Sequence, residues 1–197
     1  MGLSGGTATS SGQYMGSTAG LSALLGPLRQ SGASISIGSA DYLAVMKRWA
    51  ACSGRSVGSC ARFAPEAFVA RSDYVGDLLS ARGRAAAIEA SRSATLLLDA
   101  YGGAINQVGA DATAFVHRDQ LFSIQYLAYG AGARGRVNTA YRQMRPFVSG
   151  EAYQNYIDPQ LSAWRRAYYA GNWSRLVRVA RKYDPDEVFA FRQGIDQ

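Results

Sequence analysis

Apolar positions recur along the chain at two spacings. Leu21, Leu24, Leu25 and Leu28 fall at i, i+3, i+4 and i+7, which predicts an amphipathic helix with Gly26-Pro27 near its end. Tyr42, Leu43, Met46 and Trp49 form a second stripe, with Ser39 as its expected N-cap. Val75–Ser91 reads as helix, and Val137, Ala140, Tyr141 and Met144 mark another. In the last long helix Asn172 is the expected cap, with Trp173, Leu176, Val177 and Ala180 inward and the arginines outward. The two-residue period marks strands. Ala33–Gly38 places Ile35 and Ile37 on one face, and Ala94–Ala100 (ATLLLDA) reads as a buried strand. Alternation is clearest in Leu121–Tyr129, with Phe122, Ile124, Tyr126 and Ala128 on one face and Leu121, Ser123, Gln125, Leu127 and Tyr129 on the other. Gln125 is thus a polar side chain within a mostly apolar strand. No internal repeat is present.

Composition narrows the function classes. A 48% hydrophobic content over 197 residues supports a buried core and excludes global disorder. No run reaches the length of a membrane span and the N-terminus lacks a basic region followed by an apolar core, so the chain reads as soluble with no address label. The net charge of +7 raises an anionic partner as an option. Arg165, Arg166, Arg175, Arg178, Arg181 and Lys182 lie between Asp158 and Asp184 with no acid among them, whereas residues 1–40 carry only Arg29. A solvated helix face explains such a run, and no nucleic-acid reading motif accompanies it. Cys52 and Cys60 fit either a local disulfide closing the Ser53–Ser59 loop or two reduced thiols at a helix end. With one histidine and two cysteines, no metal site is expected. Gly102–Gly109 lacks the Lys-Ser/Thr of a phosphate loop and reads as turn chemistry.

Helices interspersed with strands leave a parallel doubly wound sheet open on pattern alone. The C-terminal third decides otherwise. Within Glu151–Gln193, an extended segment would put Tyr153 and Asn155 on one side and Tyr156 on the other, before a turn at Asp158-Pro159. The Y-x-N-Y-x-D run at 153–158, W-x-x-x-Y-Y at 164–169 and Y-D-P-D-x-V-F-x-F-x-Q at 183–193 resemble the C-terminal signature of berberine-bridge-enzyme-like oxidoreductases. These are FAD-linked oxidases of the vanillyl-alcohol oxidase superfamily. Residues 115–126 are similar to the family's F-x-H-R-x-x-L-x-x-x-Q/E-Y block, which lies on the sheet floor facing the flavin.

The resemblance implies an α+β fold, a largely antiparallel sheet covered by helices on one face. It divides the chain into residues 1–148, part of a substrate-binding domain, and residues 149–197, a segment that would pack on an FAD-binding domain. Gly5–Gly16 becomes the end of a strand leading into a helix, and Phe63–Ala70 a strand leading to a turn at Ser72-Asp73-Tyr74. By motif position Tyr153 resembles the active-site tyrosine above the isoalloxazine, and Asn155 and Tyr156 the residues lining that ring. Gln125 stands where some relatives carry a catalytic glutamate. A neutral amide cannot act as a base, so Gln125 would orient substrate and base duty would fall to Tyr153. That role requires the phenol pKa to fall from about 10. Tyr153 and Tyr156 as packed aromatics with satisfied hydroxyls are the plainer alternative. For His117 the expectation is a structural, hydrogen-bonded imidazole; adjacent Asp119 cannot orient it as in a catalytic triad.

The family's pyrophosphate loop and covalent flavin attachment residues are not in this chain, so FAD is expected with a separately encoded FAD-binding half as partner. The leading expectation is the C-terminal part of an FAD-dependent oxidoreductase acting on a small-molecule alcohol, sugar, amine or phenolic natural product. A non-catalytic remnant or binding module is the alternative, and a basic nucleic-acid-binding protein a distant third. The aromatics of 153–156 and 188–191 would be exposed in the chain alone, which predicts oligomerisation or poor solubility.

Overall fold

The computed structural model describes residues 1–60 and 66–195. They divide into two compact units: residues 1–10 with 67–195, and residues 11–60 with 66.

The larger unit is built on five strands, β1 (Gly2–Ser4), β2 (Thr7–Thr9), β3 (Phe68–Val75), β4 (Thr95–Ala100) and β5 (Phe122–Tyr129). Their order in the sheet is β2-β1-β4-β5-β3, and every pairing is antiparallel. β1 and β2 form a hairpin rather than a strand running into a helix. Its two-residue turn, Gly5-Gly6, holds φ of 56° and 82°, a left-handed pair that glycine enters without strain.

β5, next to the edge, pairs with β3 so that Ser72 opposes Gln125, and with β4 so that Leu97 opposes Gln125. The alternation read in the sequence is borne out: Ile124, Tyr126 and Ala128 join Leu3, Val75 and Leu96 in the core. Helices α5 (Ala81–Ser93) and α6 (Ala133–Met144) pack on each other and on this face. α6 buries Val137, Ala140, Tyr141 and Met144, the stripe its spacing predicts. α5 starts six residues later than expected, because β3 runs through Val75 and the Ser80 hydroxyl caps the helix by accepting from Gly83 N–H at 3.1 Å.

Ser72-Asp73-Tyr74 is not a turn but the buried interior of β3. Its polar groups read as turn chemistry, yet each finds a partner far away in sequence. Ser72 Oγ accepts from Tyr153 N–H, Asp73 pairs with Arg145, and the Tyr74 hydroxyl lies 3.2 Å from that of Tyr101. The start of the strand expected at Phe63 lies outside the described residues.

After α6 the chain passes along β3, and α7 (Trp164–Tyr169) and α8 (Trp173–Tyr183) complete the unit. Ala152, Trp164, Ala167 and Tyr168 form a second small core. Asn172 precedes α8 but makes no cap hydrogen bond. Its amide donates instead to Ala110 O at 2.7 Å and Thr113 O at 3.2 Å, tying the helix start to that loop.

The smaller unit contains α1 (Thr18–Leu24), α2 (Gly26–Gln30), α3 (Tyr42–Trp49) and α4 (Val57–Cys60). The leucine stripe is split over α1 and α2 at Leu25, ahead of Gly26-Pro27. Ala33–Gly38 forms no strand; the unit holds no described strand with which to pair it. Asp41, not Ser39, caps α3 by accepting from Ala44 N–H at 2.9 Å. Cys52 and Cys60 are free thiols.

Candidate active site

The sheet face opposite α5 and α6 carries the side chains of opposite parity. By register these are Ser72 and Tyr74 on β3, Leu97 and Asp99 on β4, and Ser123, Gln125 and Leu127 on β5. The stretch 149–158 runs beside β3, the edge strand, and brings the motif residues to this face. Ser149 N–H donates to Tyr74 O at 2.8 Å, and Tyr153 N–H to Ser72 Oγ at 2.9 Å. Further on, Asp158 accepts from Arg71 Nε at 2.7 Å. Arg71 also donates to Asn138 Oδ1 and sits 3.6 Å from the Tyr141 ring centre. The stretch is thereby fastened to both β3 and α6.

Residues 153–156 are not extended. Tyr156 N–H donates to Tyr153 O at 2.9 Å, closing a turn that brings the two rings to 5.0 Å in an edge-to-face arrangement. Tyr156 therefore lies on the same side as Tyr153, contrary to the alternation of an extended chain. Asn155 Nδ2 donates to Tyr153 Oη at 2.8 Å, while the rest of Asn155 is exposed. Three of the four sequence-derived site residues thus form one contiguous group. Gln125 is buried on the floor of the same face, beside Ser72, and makes no side-chain hydrogen bond among the described residues.

Around this group stand Tyr74, Tyr101, Phe115 and His117. Tyr101 meets Tyr74 edge-on at 5.3 Å, and Phe115 meets Tyr153 at 6.2 Å. Burial pushes the phenols of Tyr74, Tyr101 and Tyr156 up, away from the range useful to a base. For Tyr156 the next cause is the negative charge of Asp99, which also raises Tyr101. Asp99 is an exposed carboxylate opposite Ser123, and the motifs did not point to it. Its parity with Leu97 was visible in the sequence, but which face lies open depends on the pairing with β5.

On the covered face, burial is the dominant influence on Asp73 and lifts its carboxyl to about 7. Arg145, 2.5 Å away, and the Tyr126 hydroxyl at 3.1 Å pull it down. Arg145 is partly solvated, so its attraction is screened and burial prevails. This pair lies on the helix side of β3 and does not face the open site.

An all-antiparallel sheet with helices on one face and a tyrosine-lined opposite face defines the class: an α+β fold with a C-terminal aromatic segment. The berberine and berberine-like family model matches residues 152–196. Berberine bridge enzyme-like 17 of Arabidopsis thaliana is 36% identical over 118 residues, 48% of this chain and 22% of that protein. An uncharacterized FAD-linked oxidoreductase of Bacillus subtilis, YgaK, is 36% identical over 110 residues, 53% of this chain and 24% of its own length. The solved structure of wild-type BBE-like 1 from Physcomitrella patens superimposes with a TM-score of 0.79 at 30% identity, over 92% of this chain and 43% of that one. The chain is related to the berberine-bridge-enzyme-like FAD-linked oxidoreductases and corresponds to a partial segment of them. It spans under a third of the length of these curated relatives.

Proposed function

We propose that this chain supplies the substrate-side half of an FAD-dependent oxidoreductase active site that oxidises a small organic alcohol, sugar, amine or phenol. The observation that carries the reading is the convergence of Tyr153, Asn155, Tyr156 and Gln125 on one open sheet face. Their chemistry fits a flavin. Edge-to-face tyrosine rings suit a flat heteroaromatic, and the exposed Asn155 amide and the uncommitted Gln125 amide offer donors and acceptors to its polar edge. FAD, when bound, accepts the hydride.

The chain's own residues bind, orient and receive the proton. Gln125 orients the substrate by hydrogen bonding, since an amide takes no proton at neutral pH. Tyr153 Oη, already an acceptor from Asn155 Nδ2, is positioned to take the substrate proton. Asp99, an exposed carboxylate on the same face, is a second acceptor, and its charge disfavours ionisation of Tyr156 rather than recruiting it. Exposed Val188, Phe189 and Phe191 fit docking against the FAD-binding part of the enzyme, on this polypeptide or another.

The test is expression of the chain alone and together with a family FAD-binding domain, followed by flavin absorbance in the purified material. Flavin comigrating with the two-part sample supports the reading. Absence from both samples favours the non-catalytic binding module. In an active sample, Tyr153→Phe is expected to lower turnover about 10²-fold or more if Tyr153 takes the proton. Asp99→Asn carries that loss instead if Asp99 does.

A further inference from the structure

His117 is the chain's only imidazole and it is wholly buried. Its Nδ1 lies 2.7 Å from Glu151 Oε2, an oxygen that also accepts from Gln120 Nε2 at 3.0 Å. Its Nε2 is buried and has no hydrogen-bond partner among the described residues. An orphaned N–H is costlier than a bare ring lone pair, so the proton belongs on Nδ1, donated to the carboxylate. The Tyr74 ring stacks on the imidazole at 4.3 Å. Phe115 meets it edge-on at 5.2 Å and also meets Tyr153 edge-on at 6.2 Å.

These contacts converge on a single place. Glu151 stands two residues before Tyr153, at the entrance of the 153–156 turn. Ser72 holds the Tyr153 backbone from the sheet side, and Ala152 N–H is bonded to Ala167 O at 3.0 Å. His117 and Gln120 fix the remaining end through the Glu151 carboxylate. Phe115, in ring contact with both His117 and Tyr153, links the imidazole's position to the tyrosine ring.

We propose that His117, as its Nδ1–H tautomer, is a positioning residue that sets Tyr153 through Glu151 and Phe115. The significance of Tyr153 rests on the function proposed above; the geometry that locates it does not. The test is done on the full chain without flavin, so its failure is distinct from a failure of flavin to comigrate. Nitrogen-15 histidine labelling yields one pair of ring signals, because there is one histidine. They are expected to report a protonated Nδ1 and a bare Nε2. An Nε2–H tautomer would overturn the proposal.

His117→Phe keeps the aromatic stack and removes the donor. It is expected to shift the ring resonance of Tyr153, assigned with Tyr153→Phe, and to speed amide exchange of Ala152, Tyr153 and Tyr156 about tenfold. The core amides of Ile124 and Tyr126 should keep their wild-type rates, which a general loss of stability would not allow. His117→Asn, with a side-chain N–H near the Nδ1 position, is expected to restore the Tyr153 resonance. Unchanged exchange at 152–156 in His117→Phe would refute the positioning role. If that variant does not fold, Glu151→Ala replaces it, removing the shared acceptor at a side chain only partly buried. The same local loosening is expected there, and its absence counts equally against the proposal.

Discussion

The two faces of β5 differ although they alternate residue by residue. Ile124 and Tyr126 are fully enclosed beneath α5 and α6, in a core assembled from six elements. Ser123 and Gln125, their neighbours, lie among hydroxyls, amides and tyrosine rings. One face is organised for cohesion. The other keeps donors and acceptors available, as with the uncommitted Gln125 amide, and its rings are set by contacts with each other. The comparison teaches that stability and chemistry are separable here at the resolution of a single residue step.

The contrast can be broken most severely at Arg71, which joins the covered side to the C-terminal stretch. Arg71→Met strands the buried Asp158 carboxylate and is expected to destabilise the chain by about 3–5 kcal/mol. Chemical denaturation gives the value, and an unchanged midpoint would show that the clamp is not structural. Ile124→Ala should follow, at about 2–5 kcal/mol by the same measurement, through a cavity under the helices. Gln125→Ala, one residue along, is expected to cost under about 1 kcal/mol because no described hydrogen bond is lost. Its effect should appear in substrate binding by the flavin-loaded two-part protein. Equal destabilisation by the two alanines would erase the distinction between the faces.

The covered face also carries a pH response, at Asp73. Its folded pKa of about 7 stands above the ordinary aspartate value near 3.9, so the folded chain holds the proton more tightly. The associated stability is full below about pH 4 and is lost as pH rises through about 7. Melting temperature is therefore expected to fall by a few degrees more in the wild type than in Asp73→Asn between pH 5 and pH 8. Parallel curves would mean that Arg145 keeps the carboxylate ionised.

How much of this was legible follows the same division. The alternation in β5 and the α6 stripe each state their burial outright, since one period fixes one face. The α3 stripe has the same spacing, yet Tyr42, Leu43 and Trp49 stand more than half exposed. Periodicity names an element and a face; a partner decides whether that face is covered. Local signals competed elsewhere. Asp41 took the cap expected of Ser39, and Asn172 turned its amide to a distant loop. Ser72, Asp73 and Tyr74 looked like a turn because their partners, Tyr153, Arg145 and Tyr101, are remote in sequence. The motifs singled out Tyr153, Asn155, Tyr156 and Gln125, which the fold brings to one sheet face. The turn that folds Tyr156 back, the Glu151–His117 bond and the place of Asp99 needed strand register and tertiary contact.

The run of chain beside β3 has one more consequence. β3 ends the sheet, and a bare outer strand is a template on which a second molecule can extend the ladder. Ser149 occupies the Tyr74 carbonyl near the end of the strand and Tyr153 the Ser72 hydroxyl, so part of that border is already taken by the molecule's own chain. The segment that carries the candidate chemistry thus also guards against edge-to-edge association, and a change that lifts it away would endanger solubility along with the site.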